Sequence, residues 1–510
     1  MDDRFAVRRV SRRVLLAGMG SGAAFLVAAC AGAAATPTAA PSTKPIEAPK
    51  PAEPPKPAAA PTQAPAAAAK PAEASKPTEP SAPATKPAAG APQPAYAPKS
   101  LTAKTLTVWG LDYVPHKERW GELLQVFEQK TGAKGKNEPQ AWPIEVKVVA
   151  ALAAGTAPDI GGLMGRVLAP LHKQKALEAV DVPVFRDLNI EPKKWFTPGA
   201  IEAYEFEGQY WGVPTEDSQV ANGIFAREDR LQEVGAEGLW PGNKGKDIFD
   251  SNEQLWELAQ KLQKVDGGNV TLWGLSGAGW SDNTLFGLMK ELGQAWYDHS
   301  QQKFFMDSPA AIKAMEILVD TPANKLKIEG ELADSGQNGF VKGKVAMYRA
   351  NSAFGQIAKE VKFPFVGVMR PPAVPNTTPQ YIGEGGWGAV ALKSSKNKDV
   401  AFEFLKFQST LEGEKLWSVI YEKTGMPAVV ALHEDEMYKG DSRPAVYSRT
   451  WMKYLQNTSY KGAGFGHEPT ITGIWASISA ELRSGKITAQ EAAKKTQDQF
   501  TQHRKDFYAS

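Results

Sequence analysis

The sequence predicts an α/β fold for residues 104–510, and three observations support this. A β-rich run that ends in glycine, Lys104–Gly110 (KTLTVWG), precedes a segment with helical apolar spacing, and similar alternations follow along the chain. Strands that alternate with helices favour parallel sheets that are covered on both faces. Finally, residues 104–510 exceed the length at which a single core stops growing, so two lobes are expected.

The individual elements are predicted in chain order. Residues 117–130 carry apolar side chains at helical spacing and end at a Thr-Gly pair, which predicts a helix. The alternation in Ile144–Val149 (IEVKVV) predicts a second strand. Residues 152–160 (LAAGTAPDI) predict a helix end, a turn and the start of a third strand. Further helices, each opened by a polar capping residue, are predicted over 308–319, 398–408 and 488–500.

Composition excludes several classes of function. A single cysteine cannot form an intramolecular disulfide or supply a Cys-rich metal site. The net charge is +3, but twelve basic and six acidic side chains fall in residues 1–103. The remaining residues are therefore mildly acidic, which argues against nucleic-acid binding. The six histidines are scattered, so no metal site and no cofactor are expected.

The N-terminal segment has the features of a bacterial export signal, predicted to span residues 1–29. Arginine pairs precede an uncharged stretch, Val14–Ala29, which is shorter than the ~20 residues of a membrane span. Ser11–Leu16 (SRRVLL) resembles a twin-arginine motif, although general export is also compatible with it. Val27–Cys30 (VAAC) resembles a lipobox, so Cys30 is predicted to carry a lipid and to become the new N-terminus.

Residues 30–103 are predicted to be a disordered tether. The segment 31–103 contains 18 of the 38 prolines, much alanine and regularly spaced lysine and glutamate. Such a composition buries too little apolar surface to fold. If it were extended as polyproline II, at about 3.1 Å per residue, it would reach roughly 200 Å. The sequence therefore predicts a folded body that works outside the cytoplasm at a distance from the membrane that anchors it.

An ordered series of short motifs gives residues 104–510 a resemblance to a known family. The motifs are TLTVWG at 105–110, ALAAGTAPDI at 151–160, EGQYWGVPTEDSQVANGIFAREDRL at 207–231, FVKGKVAMYRANSAF at 340–354, YIGEGGWGAVALKSSKNKDVAFEFLKF at 381–407 and TGMPAVVAL at 424–432. In this order the chain resembles the family 1 extracellular solute-binding proteins of bacterial ABC importers, the maltose-binding-protein-like group. Each motif alone is weakly specific.

The resemblance implies a two-lobe periplasmic-binding-protein-like fold of type II, with a ligand cleft between the lobes. Crossings are expected near 213–222, 383–388 and 426–430, which gives one lobe of about 104–220 and 385–428, and another of about 221–384 and 429–510. Lobe closure around the ligand would be the mechanism. The implied partners are a carbohydrate and the membrane subunits of an ABC permease, with the protein a monomer and not an enzyme.

Candidate ligand-binding residues lie in the loops that follow strands, where open α/β sheets bind ligands. The resemblance places Trp109 and Asp112 in the cleft, although Trp109 could equally be a core ring. Arg166 occupies a ligand-contacting position of the family but departs from the residues of maltose-binding protein. It could bind hydroxyls or an acidic group, or be a solvated arginine. Asp159, after a Pro turn, is expected to be structural.

Further candidates follow the crossings and the later strands. Glu216 and Asp217 are adjacent carboxylates, but neighbours in an extended segment point to opposite faces, which argues against a paired acid and base. Asp217 is expected to accept a sugar hydroxyl. The resemblance places an aromatic platform at Trp280 and a contact loop at Arg349, Asn351 and Phe354. Trp387 lies among glycines that let the backbone approach closely, which makes it a stacking candidate. Trp387 could instead pack at a hinge.

Some motifs suggest chemistry that their context excludes. Residues 383–388 (GEGGWG) match a dinucleotide fingerprint, but a β-type run follows where that fingerprint requires a helix. The leading hypothesis is thus a lipid-anchored receptor that captures a mono- or oligosaccharide. The alternatives are a tethered sensor, a carbohydrate-active enzyme, or a receptor for an acidic solute such as a uronate or sugar phosphate.

Overall fold

The computed structural model describes most of the chain after the predicted tether. The described residues are 94, 96–217, 223–239, 248–276, 282–330, 337–350, 361–418, 426–441, 443–455, 458–460 and 468–509. The export signal, Cys30 and nearly all of the tether therefore lie outside the described residues. Glu79–Ser510 forms one compact unit.

The described strands are short, and most belong to two five-stranded sheets. Their bounds are β1 Thr105–Trp109, β2 Lys134–Asn137, β3 Ile160–Met164, β4 Glu205–Phe206, β5 Gln209–Tyr210, β6 Val213–Pro214, β7 Glu216–Asp217, β8 Gly223–Arg227, β9 Lys264–Asp266, β10 Asn269–Leu275, β11 Tyr297–Asp298, β12 Lys303–Phe304, β13 Val345–Ala350, β14 Phe365–Met369, β15 Tyr381–Gly383, β16 Trp387–Ala391, β17 Met426–Pro427 and β18 Thr458–Tyr460.

Helices alternate with these strands and cover the sheets. The α-helices are α1 Val114–Thr131, α2 Ile144–Ala154, α3 Leu168–Lys173, α4 Pro192–Trp195, α5 Pro198–Ile201, α6 Glu228–Glu233, α7 Asn252–Leu262, α8 Asp282–Glu291, α9 Pro309–Met315, α10 Gln337–Val341, α11 Lys398–Gln408, α12 Leu411–Ser418, α13 Arg443–Leu455, α14 Glu468–Arg483 and α15 Ala489–Ala509. Two segments, Asp181–Arg186 and Glu316–Lys325, are π-helical.

The first sheet, sheet A, has the strand order β2-β1-β3-β16-β6. β1 runs parallel to both β2 and β3, with Val108 opposite Ile160. β16 runs antiparallel to β3, with Trp387 opposite Met164. The carboxyl ends of β1 and β3 and the beginning of β16 therefore meet at one edge of sheet A.

The second sheet, sheet B, has the order β14-β8-β13-β10-β9. β8 runs antiparallel to both of its neighbours, so that Phe225 lies opposite Tyr348 on one side and Gly367 on the other. β10 and β13 are parallel. The chain leaves sheet A after β6, enters sheet B at β8, and returns from β14 to β16. The small ladders β7–β17 and β15–β18 lie along these connections.

The α/β class is confirmed, but two sequence predictions were wrong. Both sheets are mixed rather than parallel, because β16 and β8 join their sheets after the chain has crossed between them rather than through a β-helix-β connection. The strand predicted at Ile144–Val149 is helix α2. Its buried residues Ile144, Val148 and Ala151 are spaced four and three apart, which forms one helical face. The division of the lobes at particular residues stays a prediction.

Sheet A separates two apolar clusters, and sheet B packs against others. Along β16, Ala389 and Ala391 belong to the cluster under α1 and α11, whereas Val390 belongs to the cluster that includes Ile144 and Leu163 of α2 and β3. This alternation is what a sheet covered on both faces requires. Helices α8, α9, α14 and α15 enclose a further cluster, and α7 and α13 each contribute to a cluster that includes sheet B residues.

The glycine-rich return from β15 to β16 is tightly confined. Gly385 has a φ of +86°, and a Cβ atom there would lie 2.1 Å from the Cβ of Ala203. At Gly388 a Cβ would lie 2.4 Å from the Tyr204 hydroxyl oxygen. Side chains at these positions would therefore clash. A strand follows, as expected, so GEGGWG is a close-packed connection and does not have the strand–helix context of the dinucleotide fingerprint.

Candidate functional site

Three of the predicted ligand-binding residues meet at the edge of sheet A where β1, β3 and β16 converge. Trp109 is the last residue of β1, Arg166 lies in the 3-10 turn Gly165–Val167 directly after β3, and Trp387 begins β16. The Gly165 backbone N–H donates to the Gly386 carbonyl at 3.1 Å, which fixes the turn to the glycine connection. The parallel pairing of β1 with β3 and the antiparallel entry of β16 place these three residues at the same end of sheet A.

A tryptophan that the sequence analysis missed, Trp142, completes this edge. Its side chain is 49% exposed, and its ring lies edge-on to Trp387 with centroids 6.3 Å apart. The Arg166 guanidinium carbon lies 5.8 Å from the Trp142 ring centroid. Trp142 stands in the short loop before α2, between Ala141 and Pro143. A large aromatic ring in a polar, Pro-flanked loop has no reason to serve the core, and this signal could have identified it.

A buried histidine supports Trp387 from behind. His116 of α1 packs edge-on against Trp387 at 4.6 Å and against Trp417 at 5.4 Å between ring centroids. Burial lowers the pKa of His116 to about 3. The imidazole is therefore neutral at physiological pH, and its role is to hold the ring of Trp387 in place.

Arg166 is the electrostatic centre of the edge. Its Nη1 lies 3.0 Å from Oε2 of Glu384, which precedes the glycine connection. Burial would lower the pKa of Arg166, but the carboxylates of Glu384, Glu468, Asp282 and Glu145 outweigh burial and raise it. Glu145 belongs to α2, whereas Asp282 and Glu468 begin α8 and α14, which enclose a different apolar cluster. The site is therefore built from both groups of elements.

The carboxylates on the α8 and α14 side are held by hydroxyl groups. Tyr460 donates to Oε2 of Glu468 at 2.5 Å, and Thr472 donates to Oδ2 of Asp282 at 3.1 Å. Asp282 and Glu468 are both almost fully buried. These bonds fix the direction in which the two carboxylates point, so the negative field at Arg166 is preorganised.

Two polar atoms of this edge are buried without a hydrogen-bond partner in the described part of the chain. They are Nε of Arg166, a donor, and Oε2 of Glu145, an acceptor. Buried polar atoms of this kind usually bind a solvent molecule, a ligand or another part of the chain. A hydroxyl group can satisfy both types, since it donates and accepts.

The two other predicted residues at this edge, Trp109 and Asp112, form polar contacts within the protein. The Trp109 ring is half-buried against the cluster of α2 and β3, and its Nε1 donates to Glu138 at 2.7 Å. Asp112 is exposed and forms an ion pair of 3.0 Å with Lys117, while its backbone N–H donates to the Gln140 carbonyl. Trp109 thus presents only part of its ring, and Asp112 lies in the loop that follows β1.

Two predicted ligand contacts are engaged inside the protein. Asp217 is fully buried and accepts a hydrogen bond of 2.7 Å from the Thr197 hydroxyl. Arg349 is buried in sheet B, where its Nη1 lies 2.5 Å from Oε1 of Glu329. Glu329 also pairs with Arg483. Neither side chain is offered to a solute in this structure, because each already satisfies a buried partner. We therefore leave both out of the proposed site.

The remaining predicted contacts, Trp280, Asn351 and Phe354, lie outside the described residues, as does Cys30. Asp159 has the structural role expected of it, although its partners are distant in sequence rather than local. It accepts from the Thr107 backbone N–H at 2.8 Å and from Ser395 at 2.6 Å. These bonds join the beginning of β3 to β1 and to the segment after β16.

Two sizeable cavities lie elsewhere. One of about 700 Å³ is bordered by Glu316, Gly485 and Thr488, and one of about 1190 Å³ by Lys173, Trp211 and Arg504. Two of the cations that border the larger cavity donate within the protein, Lys173 to the Phe507 carbonyl and Arg504 to the Tyr297 hydroxyl. Neither cavity includes Arg166, Trp142 or Trp387. The candidate site at the edge of sheet A is therefore chosen for the chemistry of its side chains and not for its volume.

The described residues also bear on metal binding and membrane insertion. They contain no group of three or more His, Cys, Asp or Glu side chains placed to hold a metal ion. None of the helices in that part of the chain combines the length and apolar character that a membrane span needs.

Comparison with known proteins identifies the family. Residues 118–415, more than half of the chain, match the family described as bacterial extracellular solute-binding protein. The chain belongs to this family. Membership agrees with the two-sheet architecture and with a site that draws on both groups of elements. No curated protein sequence matches the chain significantly.

Solved structures of solute-binding proteins share the fold at low sequence identity. An ABC substrate-binding protein from Listeria monocytogenes in complex with cycloalternan is 19% identical, with a TM-score of 0.62, over 78% of this chain and 98% of that one. The sugar-binding protein MalE from Xanthomonas citri is 15% identical, with a TM-score of 0.64, over 79% and 98%. The GacH receptor of Streptomyces glaucescens, solved unliganded and with acarbose, is 18% identical, with a TM-score of 0.61, over 80% and 100%. This two-lobe solute-binding fold was the fold predicted from the sequence.

Proposed function

We propose that the protein is the carbohydrate-binding component of an ABC importer, and that the edge of sheet A is its ligand site. The observation that carries the proposal is the juxtaposition of the exposed Trp142 ring with two buried polar atoms, Nε of Arg166 and Oε2 of Glu145, that have no hydrogen-bond partner among the described residues. A sugar presents apolar C–H faces that stack on indole and hydroxyl groups that satisfy donors and acceptors. Structural relatives solved with cycloalternan and with acarbose support this class of ligand.

The proposed contacts are a subset of those predicted from the sequence, with one addition. Arg166 and Trp387 contribute together with Trp142, while Trp109 and Asp112 flank them. Asp282 and Glu468 lie on the opposing elements, so a ligand held between the two groups would favour lobe closure. Trp280, Asn351 and Phe354 stay candidates for the opposing side.

Binding is tested by isothermal titration calorimetry of the purified chain against maltooligosaccharides, monosaccharides and polyols, with tryptophan fluorescence as a second readout. We expect a saturable response and a shift in emission, because Trp142 and Trp387 would lose contact with water. Absence of binding to every sugar and polyol, with the protein folded, would refute the carbohydrate assignment.

Delivery to a permease and reversible binding without turnover are parts of the same proposal. Family membership supports a binding role. Incubation with the bound sugar followed by mass spectrometry should return the sugar unchanged. Recovery of a cleaved sugar would favour the enzyme alternative, and growth that does not depend on the permease would favour a sensor.

Anchoring through Cys30 is the remaining part of the proposal. The lipobox-like VAAC sequence supports it. Mass spectrometry of the exported protein should find a lipid on Cys30 and no residue before it. Cys30→Ser should release the protein from the membrane fraction without changing ligand affinity.

A further inference from the structure

Among the described residues around Arg166, acidic side chains outnumber basic ones. The Arg166 guanidinium is paired with Glu384, and the carboxylates of Glu468, Asp282 and Glu145 also act on it electrostatically. Within the part of the chain that the structure describes, these four acidic side chains act on the single basic side chain of Arg166. The Arg166 and Glu384 side chains are only 19% and 11% exposed, so solvent screens this field poorly.

An acidic solute would bind here against two obstacles. Its anion would compete for Arg166, whose Nη1 is already paired with Glu384 at 3.0 Å. It would also approach the other three carboxylates, and like charges in a poorly solvated site repel strongly. The presence of an arginine therefore does not make this an anion site.

A basic solute meets the opposite conditions. Carboxylates only accept hydrogen bonds, whereas an ammonium group donates three. Oε2 of Glu145 is buried and has no hydrogen-bond partner in the described part of the chain, so a donor placed there satisfies it. The half-exposed indole of Trp142 offers a ring face, which attracts cations through its negative quadrupole.

We propose that this site selects ring-shaped solutes by their charge, preferring a sugar that carries a basic nitrogen to the matching neutral sugar and rejecting the matching uronate or sugar phosphate. The inference rests on the proposed carbohydrate-binding function and names the ligand class within it. It follows from the charge of described side chains around one buried ion pair.

Calorimetry with matched ligands tests the charge order. The purified full chain is titrated with glucosamine, glucose, glucuronate and glucose 6-phosphate, and then with the galacto- and manno-configured equivalents, at low and at high salt. We expect the amino sugar to bind about tenfold more tightly than the neutral sugar of the same configuration, with this advantage shrinking as salt screens the field. No binding is expected for the acidic members.

Variants separate the charge effect from general damage to the site. Glu145→Gln keeps the size of the side chain and removes one charge, so it should lower the affinity for the amino sugar several-fold more than the affinity for the neutral sugar, which loses only one contact at this position. Glu436→Gln, at an exposed residue outside the site, is the matched control and should alter neither.

The outcomes distinguish the two proposals. Binding of the acidic sugars as tightly as the amino sugars would overturn the charge inference and leave carbohydrate binding intact. An equal affinity for amino and neutral sugars, unaffected by salt or by Glu145→Gln, would also overturn it. If no member of the panel binds to the folded protein, both proposals fail.

Discussion

The indole rings of Trp142 and Trp387 lie edge-to-face, 6.3 Å apart, at the edge of sheet A. Trp387 is held in place by buried neighbours, whereas half of Trp142 faces solvent. Residues far apart in sequence thus form one aromatic corner. Its exposed member is available to a ligand, and its inner member fixes the position of the outer one.

Removing the exposed ring should therefore affect binding far more than stability. We expect Trp142→Ala to weaken ligand binding by about tenfold or more and to change the free energy of unfolding by less than about 1 kcal/mol. Trp475→Ala, at a fully buried ring of α14, should instead cost about 3–5 kcal/mol of stability. Calorimetry and urea denaturation of both variants measure the difference. Wild-type affinity in Trp142→Ala would remove this ring from the site.

The ion pair between Arg166 and Glu384 should keep anions out. In Glu384→Gln the guanidinium loses its charged partner at 3.0 Å, so we expect glucuronate to gain at least about tenfold in affinity. Glu384→Asp, which keeps the charge, should not show this gain. Titration of both variants with glucuronate measures the effect. The same weak response in both would mean that Glu384 does not control access to Arg166.

His116 should make the protein sensitive to acid. Burial lowers the pKa of His116 to about 3, below the ordinary value of 6.5, so the unfolded chain binds the proton more readily. Stability from this group is complete above pH 6.5 and is lost as pH falls toward 3, by up to about 1.4 kcal/mol per pH unit. Urea denaturation from pH 7 to pH 4 should show a smaller loss in His116→Phe than in wild type. If the free energies of unfolding of the variant and of wild type changed with pH in the same way, the imidazole of His116 would be in contact with water.

Glu414 should lower the stability of the protein as the pH rises, whereas His116 lowers it as the pH falls. Burial, and to a lesser degree the charge of Glu216, raise the pKa of Glu414 well above 4.5, and both of its carboxyl oxygens lack a hydrogen-bond partner among the described residues. Stability from this group is complete below pH 4.5 and falls as pH rises. The free energy of unfolding of Glu414→Gln, measured by urea denaturation, should therefore rise relative to that of wild type between pH 5 and pH 8. Glu412→Gln, at a half-exposed residue of the same helix, is the control and should not show this rise. A constant difference between the curves would contradict this.

The confined glycine connection gives a prediction about stability. Gly385→Ala introduces a Cβ that would lie 2.1 Å from Ala203 at a positive φ, so we expect a loss of about 1–3 kcal/mol. Gly473→Ala, in α14 with no atom within 4 Å of the new Cβ, should be neutral or stabilising by up to about 1 kcal/mol. Thermal denaturation measures both. Equal melting temperatures would show that the connection yields without cost.

The sequence was informative where a local pattern matched a tertiary role. The helix predicted over 117–130 and the one over 398–408 are α1 and α11, because their apolar spacing is the face that packs on sheet A. In Ile144–Val149 the apolar residues fit both the two-residue alternation of a strand and the spacing of a helix. The segment is helical because Ile144 and Val148 lie on one buried face of α2. The direction of β8 and β16 within their sheets depends on where the chain crosses from one sheet to the other. A local sequence pattern does not contain this information, so the prediction of parallel sheets was wrong.

For the candidate site, the sequence indicated the loops better than the side chains. Arg166, Trp109 and Trp387 were predicted because they lie at the ends of strands, and all three lie at the same end of sheet A. Arg349 also follows a strand pattern, but only the fold reveals that Glu329 lies beside it. Trp142 was missed because its loop belongs to no periodic element.

Helix α15 begins in the cluster of α8 and α14, where Phe500 is buried, and reaches the cluster of sheet A, against which Phe507 packs. The Phe507 carbonyl also accepts a hydrogen bond from Lys173. A dye on the neighbouring, half-exposed Tyr508, attached through Tyr508→Cys, would stand where the two groups of elements meet. With Cys30 the sole native cysteine, and with Cys30→Ser in place, such labelling would be site-selective, and the dye would report solute binding through the proposed lobe closure.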